Sequence, residues 1–284
     1  MWADRRGLVT PVTQERGNYV APRFSPDGEK LAYGDANRVV LRDLVRGGTS
    51  LLANAGSFPC FRPQSRELAF MRTVFFDTRI FVTSTEGAAT PTQLLETTLP
   101  QAHSSWSPDG MTLVFSQTHP ETSFDIWYVQ SGEDPTPFLE TPFDELAAVL
   151  SPDGRYLAYV SNESGQNEVY VRPFPSGDRK WIISTGDGRE PRWSPVGNEL
   201  FYTSGSRMMA VGIETVPEFR PETPAYLFDA DFVVTYARDF NASYDVSLDG
   251  ERFIMVRGDP DEGHRVHVIL ESFEELNRLA PTQD

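Results

Sequence analysis

The sequence has few residues of the kinds that build disulfide frameworks and metal clusters. It contains one cysteine, Cys60, and four histidines in 284 residues. A single cysteine excludes an internal disulfide framework and any zinc site made of paired cysteines. Cys60 lies in the apolar stretch SFPCF, which is typical of a buried small side chain rather than a reactive nucleophile.

Long apolar runs and helical periodicity are also missing. No apolar run approaches the ~18 residues that a transmembrane helix needs, so we expect a soluble chain that does not insert into a membrane. The opening residues MWADRRGLVTPV lack the apolar core of a secretion signal. Only SFEELNRLA at 272–280 favours a helix, and the remaining pattern indicates an all-β protein.

Positive charge is scarce as well. Twenty-five basic residues stand against 41 acidic ones, for a net charge of −16. A field of that sign repels phosphate backbones and anionic lipids, so we predict no nucleic-acid partner. The sequence has no G-x-S-x-G elbow, no Gly-rich phosphate loop and no HRD or DFG element, so it predicts neither that hydrolase class nor a kinase.

A short turn motif recurs along the chain. FSPDGEKLAY at 24–33 returns as WSPDGMTLVF at 106–115 and LSPDGRYLAY at 150–159. With weaker copies there are six turns, 37 to 53 residues apart, which begin at Ser25, Arg62, Ser107, Ser151, Ser194 and Ser247. A period of this size is typical of propellers, solenoids and other repeat arrays.

The turn motif also predicts a backbone conformation. Proline presets the first central φ, aspartate bonds the downstream backbone, and glycine takes a left-handed conformation. We therefore expect positive φ at Gly110 and Gly154. A β-branched residue at either position should cost about 1–3 kcal/mol.

The flanks of the turns predict a six-bladed β-propeller of four-stranded antiparallel blades. Each turn joins two apolar strand patterns, an alternating third strand follows, and most units end in a short fourth strand such as TSLLA, TQLLE or KWIIS. The predicted blades form a single domain and occupy approximately residues 19–53, 54–97, 98–140, 141–184, 185–229 and 230–271.

The ends of the chain predict how the ring closes. The last unit has RVHVILE at 265–271 as its third strand and no obvious fourth strand, whereas LVTPV at 8–12 precedes the first unit. We expect residues 8–12 to supply the outer strand of the last blade and so to remove an exposed edge. A closed ring also favours a monomer.

Longer motifs resemble a known family. The SPDG, LAY and DIWYV elements resemble the repeats of TolB-like propellers, relatives of WD-repeat blades. A finer resemblance begins near residue 140, with TPFDELAAVLSPDGRYLAYVSNESGQNEVYVRPFP at 141–175 followed by WIISTGDGREPRWSPVGNELFY at 181–202. Together with YDVSLDGERFIMV and VHVILESFEELNRLAP, these look like the C-terminal sensor propeller of bacterial serine/threonine protein kinases.

This resemblance implies a function that the composition does not. It implies a non-catalytic binding or sensing module for a protein, a peptide or a small molecule. It further implies a module excised from a longer receptor-kinase-like protein and placed as an extracytoplasmic sensor domain of a bacterial membrane protein.

Alignment of the six units predicts which side chains meet at one mouth of the central channel. Polar residues cluster near the starts of the innermost strands, where propellers place ligands. The predicted ligand-binding residues are Asn18, Tyr19, Gln101, His103, Asp144, Glu145, Asp187, Glu190 and Asn241.

The same rim residues suggest a metal site as an alternative. Carboxylate oxygens suit Ca²⁺, and a histidine would extend the choice to Zn²⁺ or Mn²⁺. The possible metal ligands are His103, Asp144, Glu145, Asp187 and Glu190. Metal-bound water there would support hydrolysis of an ester, lactone or phosphotriester, whereas ordinary solvation of these residues would not.

The widest spacing between turns contains an aromatic segment. In residues 215–241, PAYLF is expected to form the outer strand of the fifth blade. The following DADFVVTYARDFN is predicted to cover one channel mouth, where Phe232, Tyr236 and Phe240 either contact a ligand or pack as a lid.

Overall fold

A computed structural model of the chain describes residues 1–13, 15–74, 77–87, 89–97, 99–229 and 243–257. Every regular element in these ranges is a β-strand, which confirms the all-β prediction. The predicted helix at 272–280 and the predicted lid lie outside the described residues. No helix long and apolar enough to cross a membrane occurs in the ranges above.

Four consecutive blades each contain four antiparallel strands, ordered from the channel outward. Blade 1 has β3 (Tyr19–Phe24), β4 (Lys30–Asp35), β5 (Arg38–Asp43) and β6 (Thr49–Ala53). Blade 2 has β7 (Ser57–Phe61), β8 (Glu67–Val74), β9 (Asp77–Ser84) and β10 (Thr92–Gln93). Blade 3 has β11 (Gln101–Trp106), β12 (Thr112–His119), β13 (Ser123–Gln130) and β14 (Thr136–Leu139). Blade 4 has β15 (Glu145–Leu150), β16 (Tyr156–Ser161), β17 (Glu168–Pro173) and β18 (Trp181–Ile182).

Blade 5 divides its outer position between two short strands. Its inner strands are β19 (Arg189–Trp193), β20 (Glu199–Ser204) and β21 (Arg207–Glu214). Both β22 (Arg220–Pro221) and β23 (Ala225–Asp229) pair with β21, at opposite ends of that strand. The predicted PAYLF strand therefore exists, one residue further along, as half of the outer position.

Blade 6 joins the two ends of the chain. Its inner strands are β24 (Tyr244–Val246) and β25 (Arg252–Met255), and its outer strands are β1 (Trp2–Asp4) and β2 (Val9–Thr10). Closure by an N-terminal strand is confirmed, with β2 outermost as expected. The place beside β25, which the sequence pattern assigned to 265–271, is occupied by Trp2–Asp4, and residues 265–271 lie outside the described residues.

The recurring turns have the predicted chemistry. In the first of them, the Gly28 amide donates to the Ser25 carbonyl at 2.8 Å, and the Ser25 hydroxyl accepts the Lys30 amide at 2.9 Å. Gly110 and Gly154 have φ of 69° and 71°. These values confirm the left-handed glycine, which an L-residue adopts only under strain.

Apolar contact between neighbouring blades forms the core. Among the described residues, five clusters of buried side chains each join one blade to the next, from blades 1 and 2 through blades 5 and 6. Phe70, Phe115, Phe201 and Phe253 are fully buried in them. Burial of one such ring stabilises the fold by about 1.5–3 kcal/mol, so adjacent blades hold each other in place.

Candidate functional site

The innermost strands surround a central channel. The strands β3, β7, β11, β15, β19 and β24 follow one another around the ring, and β24 lies beside β3. They run in the same direction, so their starts meet at one opening, which we call the strand-start mouth. Their ends lead into the SPDG-type turns on the opposite face.

A bulge interrupts most of these strands at the same place. The pairing register shifts after Val20, Ser57, Ala102, Leu146 and Arg189. Ala21, Phe58, Ala147 and Glu190 at the bulges have φ between 48° and 55°. A bulge redirects the side chains around it, so the alternation of an ordinary strand does not extend through the channel wall.

Asp144 is held at the strand-start mouth by two blades. Its Oδ1 accepts the Ser123 hydroxyl of blade 3 at 2.6 Å, and its Oδ2 accepts the Asn162 side-chain amide of blade 4 at 3.0 Å. The Asp144 amide also donates to the Asn162 Oδ1 at 3.0 Å. The carboxylate is half-buried and has a fixed orientation.

Glu145, the next residue, points into the protein instead. It is 2% exposed, and its Oε1 accepts the Thr141 hydroxyl at 2.5 Å, whereas its Oε2 is buried without a hydrogen-bond partner. Burial raises its pKa to about 7, and the nearby Asp125 carboxylate contributes in the same direction. Glu145 therefore does not share an open surface with Asp144.

Gln101 connects two blades in the protein interior. It is fully buried, and its Oε1 accepts the Ile80 amide of blade 2 at 3.0 Å. The Thr78 hydroxyl donates to the Gln101 carbonyl. Through these contacts Gln101 joins β9 to β11 in the protein interior.

Two predicted residues from blade 1 lie at the outer rim. Asn18 is exposed, and its carbonyl accepts the Ala36 amide at 3.4 Å. Tyr19 is half-buried with its ring edge-on to Tyr33, and its hydroxyl donates to the Glu15 carbonyl at 3.3 Å. Partial burial raises the pKa of Tyr19, so its hydroxyl stays protonated at neutral pH.

Asp187 and Glu190 are close in sequence but make separate contacts. Asp187 accepts the Arg189 Nε at 2.7 Å and has a left-handed backbone. Glu190 reaches toward blade 6, where its carboxylate accepts the Ser243 amide at 3.2 Å and the Ser243 hydroxyl at 2.8 Å. Burial raises the pKa of Glu190.

The predicted metal ligands do not converge in the described part of the chain. No group of three His, Cys, Asp or Glu side chains is arranged there to hold an ion. The Asp144, Glu145, Asp187 and Glu190 carboxylates each have a different protein partner. The side chain of His103 and the whole of Asn241 lie outside the described residues, so their predicted roles stay predictions.

Charged groups meet deeper in the channel, at a position that the sequence analysis did not predict as part of a site. Arg23, Arg192 and Asp245 occupy equivalent places on β3, β19 and β24, two residues before the first residue of each turn. The Asp245 Oδ2 accepts the Phe24 amide at 2.8 Å, and the Arg23 Nη1 donates to the Tyr244 carbonyl at 3.1 Å. These contacts connect the last blade to the first.

Cys60 belongs to the same level of the channel. It is half-buried and free, and burial raises the pKa of its thiol even though the Arg23 and Arg192 charges act in the opposite direction. A thiol with a raised pKa is a weak nucleophile at neutral pH.

Comparison with known proteins shows which known folds this architecture is similar to. No protein-family model matches the sequence, and no curated protein matches it in sequence. Solved structures do match. The putative TolB from Agrobacterium tumefaciens has a TM-score of 0.70 at 19% identity, over 88% of this chain and 93% of that one. TolB from Acinetobacter baumannii has 0.62 at 20%, over 76% of this chain and 59% of that one.

The chain has the TolB-like six-bladed propeller fold. An oligogalacturonate lyase solved with manganese also matches this TolB-like propeller, with a TM-score of 0.61 at 15% identity, over 87% of this chain and 75% of that one. At these identities the likeness is one of fold, and a fold of this kind hosts both binding proteins and enzymes. The finer resemblance to kinase sensor propellers stays a prediction.

Proposed function

We propose that this TolB-like propeller is a non-catalytic binding or sensing module that takes a protein, a peptide or a small molecule at its strand-start mouth. In its native setting it would serve as an extracytoplasmic sensor domain. The residues proposed to meet the ligand are those on the open rim: Asn18, Tyr19, Asp144 and Asp187.

One observation carries this proposal: the two rim carboxylates are fixed by hydrogen bonds to the protein. Asp144 is held by Ser123 and Asn162, and Asp187 by Arg189. Fixed polar groups favour recognition because little side-chain entropy is lost when a ligand binds. They suit a metal-assisted hydrolase less well, because a hard cation needs several oxygen ligands directed at one point.

The test compares the two faces of the propeller. Peptides selected from a random displayed library against the wild-type chain should bind the Asp144→Asn and Asp187→Asn variants at least about tenfold more weakly, the loss expected for a charge-assisted hydrogen bond. Asp134→Asn is the matched control, because exposed Asp134 lies in the loop between β13 and β14 on the opposite face. Equal loss in all three variants would contradict a site at the strand-start mouth.

A second measurement addresses the hydrolase alternative. The purified chain is analysed for bound metal and assayed with ester, lactone and phosphotriester substrates, with and without EDTA. We expect no activity that the chelator removes. A stoichiometric metal together with EDTA-sensitive turnover would replace the binding proposal with metal-assisted hydrolysis.

A further inference from the structure

Two arginines lie on the innermost strands of the blades on either side of blade 6. Arg23 lies on β3 of blade 1 and Arg192 on β19 of blade 5, at equivalent positions of the two innermost strands. Both are surrounded by protein yet partly accessible to solvent. They lie about 10 Å along the strands from the strand-start mouth, at ~3.3 Å per residue.

The hydrogen bonds of these arginines leave much of their capacity unused. The Arg23 Nη1 donates to the Pro22 carbonyl at 2.5 Å and to the Tyr244 carbonyl at 3.1 Å. The Arg192 Nη1 donates to the Pro191 carbonyl at 3.2 Å, and its Nε is buried without an acceptor. A guanidinium carries five N–H donors, so several on each side chain have no partner among the described residues.

The neighbouring carboxylates do not take up these donors. The Asp245 Oδ2 accepts the Phe24 amide, and the Glu190 oxygens accept the Ser243 amide and hydroxyl. Among the described residues, neither Arg23 nor Arg192 forms an ion pair with a carboxylate. The Asp245 and Glu190 carboxylates offset part of the charge of Arg23 without contacting it. A partly desolvated guanidinium whose N–H groups lack acceptors is costly, and a bound anion that accepts them would reduce that cost.

The two guanidinium groups also affect one another. Burial, and after it the charge of Arg192, lower the pKa of Arg23 to about 10, although the Asp245 and Glu190 carboxylates act in the opposite direction. Arg23 therefore remains protonated at neutral pH, close enough to Arg192 for the two positive charges to repel. An anion bound between them would be attracted by both.

We infer that Arg23 and Arg192 form a binding site for a small monocarboxylate within the central channel. The planar guanidinium fork matches a carboxylate in shape and hydrogen-bond geometry. Asp245 and Glu190 lie beside the site and disfavour a multiply charged anion such as phosphate. The inference rests on the proposed binding role and adds the chemical class of the ligand.

The test uses acetate as the probe and acetamide as its neutral match. Carbon-13-labelled acetate is titrated into the full chain, and binding is followed by NMR line broadening and by calorimetry. Four non-hydrogen atoms limit the affinity, and we expect a Kd of about 1 mM. Acetamide should not bind measurably over the same range.

Variants then locate the site. Arg192→Gln should weaken acetate binding at least about tenfold, since it removes a charge-assisted interaction. Arg155→Gln, directly after the SPDG turn of blade 4 on the opposite face and ion-paired with Asp153, should leave the affinity within about twofold. Arg192→Lys keeps the charge without the fork, and it provides the measurement if Arg192→Gln fails to fold. It should bind acetate several-fold more weakly than the wild type.

The outcomes separate this inference from the binding proposal. No acetate binding, or binding that Arg192→Gln and Arg192→Lys leave unchanged, overturns the carboxylate site, while peptide binding sensitive to Asp144→Asn would leave the mouth proposal standing. Acetate binding lost in Arg192→Gln, together with EDTA-sensitive hydrolysis, would support the site and reject the non-catalytic role.

Discussion

Two glycines in equivalent turns have the same backbone conformation but different surroundings. Gly110 and Gly154 both occupy the left-handed position of an SPDG turn, with φ of 69° and 71°. A Cβ at residue 110 would lie 2.6 Å from the Pro63 carbonyl oxygen, whereas at residue 154 the nearest atom would be the Pro108 Cδ at 3.8 Å. Only Gly110 therefore combines backbone strain with a close approach.

This difference predicts unequal costs for the same substitution. Gly154→Ala should lower the free energy of unfolding by about 1 kcal/mol, from the positive φ alone. Gly110→Ala should lower it by about 2–3 kcal/mol, because the neighbouring backbone must also shift. Urea unfolding followed by tryptophan fluorescence measures both, and Gly154→Ala is the matched control. Equal costs would mean that the approach to Pro63 has no energetic consequence.

Two buried glutamates in blade 4 have opposite electrostatic environments. Glu145 and Glu168 are both 2% exposed. Burial raises the pKa of Glu145 to about 7. The pKa of Glu168 is lowered instead: its burial opposes the shift, but hydrogen bonds from the Ser184 hydroxyl and the Gly186 amide outweigh it. The ionised form is thus disfavoured at one site and favoured at the other.

The raised pKa of Glu145 predicts how the stability of the protein depends on pH. Between its unfolded pKa near 4.5 and its folded value of about 7, the folded state binds more protons, so its contribution to stability decreases as the pH rises through this window. Glu145→Gln removes the charge and should raise the free energy of unfolding at pH 8 by roughly 1–3 kcal/mol, with little change near pH 4.5. Unfolding in urea across that range measures it.

Glu168→Gln is the control variant, because it should change the free energy of unfolding in the opposite direction. The amide replaces a carboxylate oxygen that accepts hydrogen bonds, so this variant should be less stable at pH 7 by roughly 1–2 kcal/mol. Its deficit should shrink as the pH falls through the lowered pKa of Glu168, because the wild type then loses the ionised form. Stabilisation at pH 8 by both variants alike would argue against a specific effect at Glu145.

At the rim, the sequence predicts the neighbourhood of a side chain better than its direction. Asp144 and Glu145 were both expected at the channel mouth; Asp144 directly precedes β15 and Glu145 is its first residue. Successive residues of an extended segment point to opposite sides, and their hydrogen bonds direct Asp144 to the rim and Glu145 to the interior. Alignment of repeats gives the position along the strand but not this orientation.

At the scale of the strand, the turns were predictable and the bulges were not. The turns depend on proline, aspartate and glycine within four residues, so their chemistry is local and visible in the sequence. The bulges place Ala21, Phe58 and Glu190 in left-handed conformations, which tertiary contacts impose on residues without that preference. The available signal is the proline that follows each of these three residues, at positions 22, 59 and 191, since proline in a strand marks an edge or a bulge.

The strand Trp2–Asp4 was missed for a related reason. Three residues are too few to show an alternating pattern, and MWADRRG contains no turn signal. Its identity as a strand comes from pairing with β25, some 250 residues away in the chain. Non-local pairing of this kind becomes visible only once the ring is assembled.

At the scale of the whole molecule, the N-terminal segment closes the ring by touching three blades. Trp2 stacks on Phe24 of blade 1 at 5.3 Å between ring centroids, and the Arg252 guanidinium of blade 6 lies 4.6 Å from the Trp2 ring. Arg5 forms a salt bridge with Glu199 of blade 5 at 2.6 Å. Ala3 is fully buried among residues of blades 5 and 6.

Removal of this segment should therefore affect the whole ring rather than one edge. Deletion of residues 1–14 exposes the edge of β25 and breaks the contacts with blades 1 and 5, so the free energy of unfolding should fall by about 4 kcal/mol or more. The decrease should appear as a shift of the entire urea transition, measured by circular dichroism and by tryptophan fluorescence. Stability equal to that of the full chain would reject closure through the N-terminus.

Point variants separate closure from mere shortening of the chain. Ala3→Asp places an unpaired charge in a fully buried position of β1 and should cost about 3–5 kcal/mol. Val9→Asp puts the same charge on the outermost strand β2, where Val9 is 46% exposed, and should cost less than about 0.5 kcal/mol. A large loss in the first with little in the second would show that the ring depends on Trp2–Asp4, the strand that contacts its neighbours on both sides. Comparable losses would mean that the outer strand β2, which the sequence analysis predicted, contributes to closure as much as β1 does.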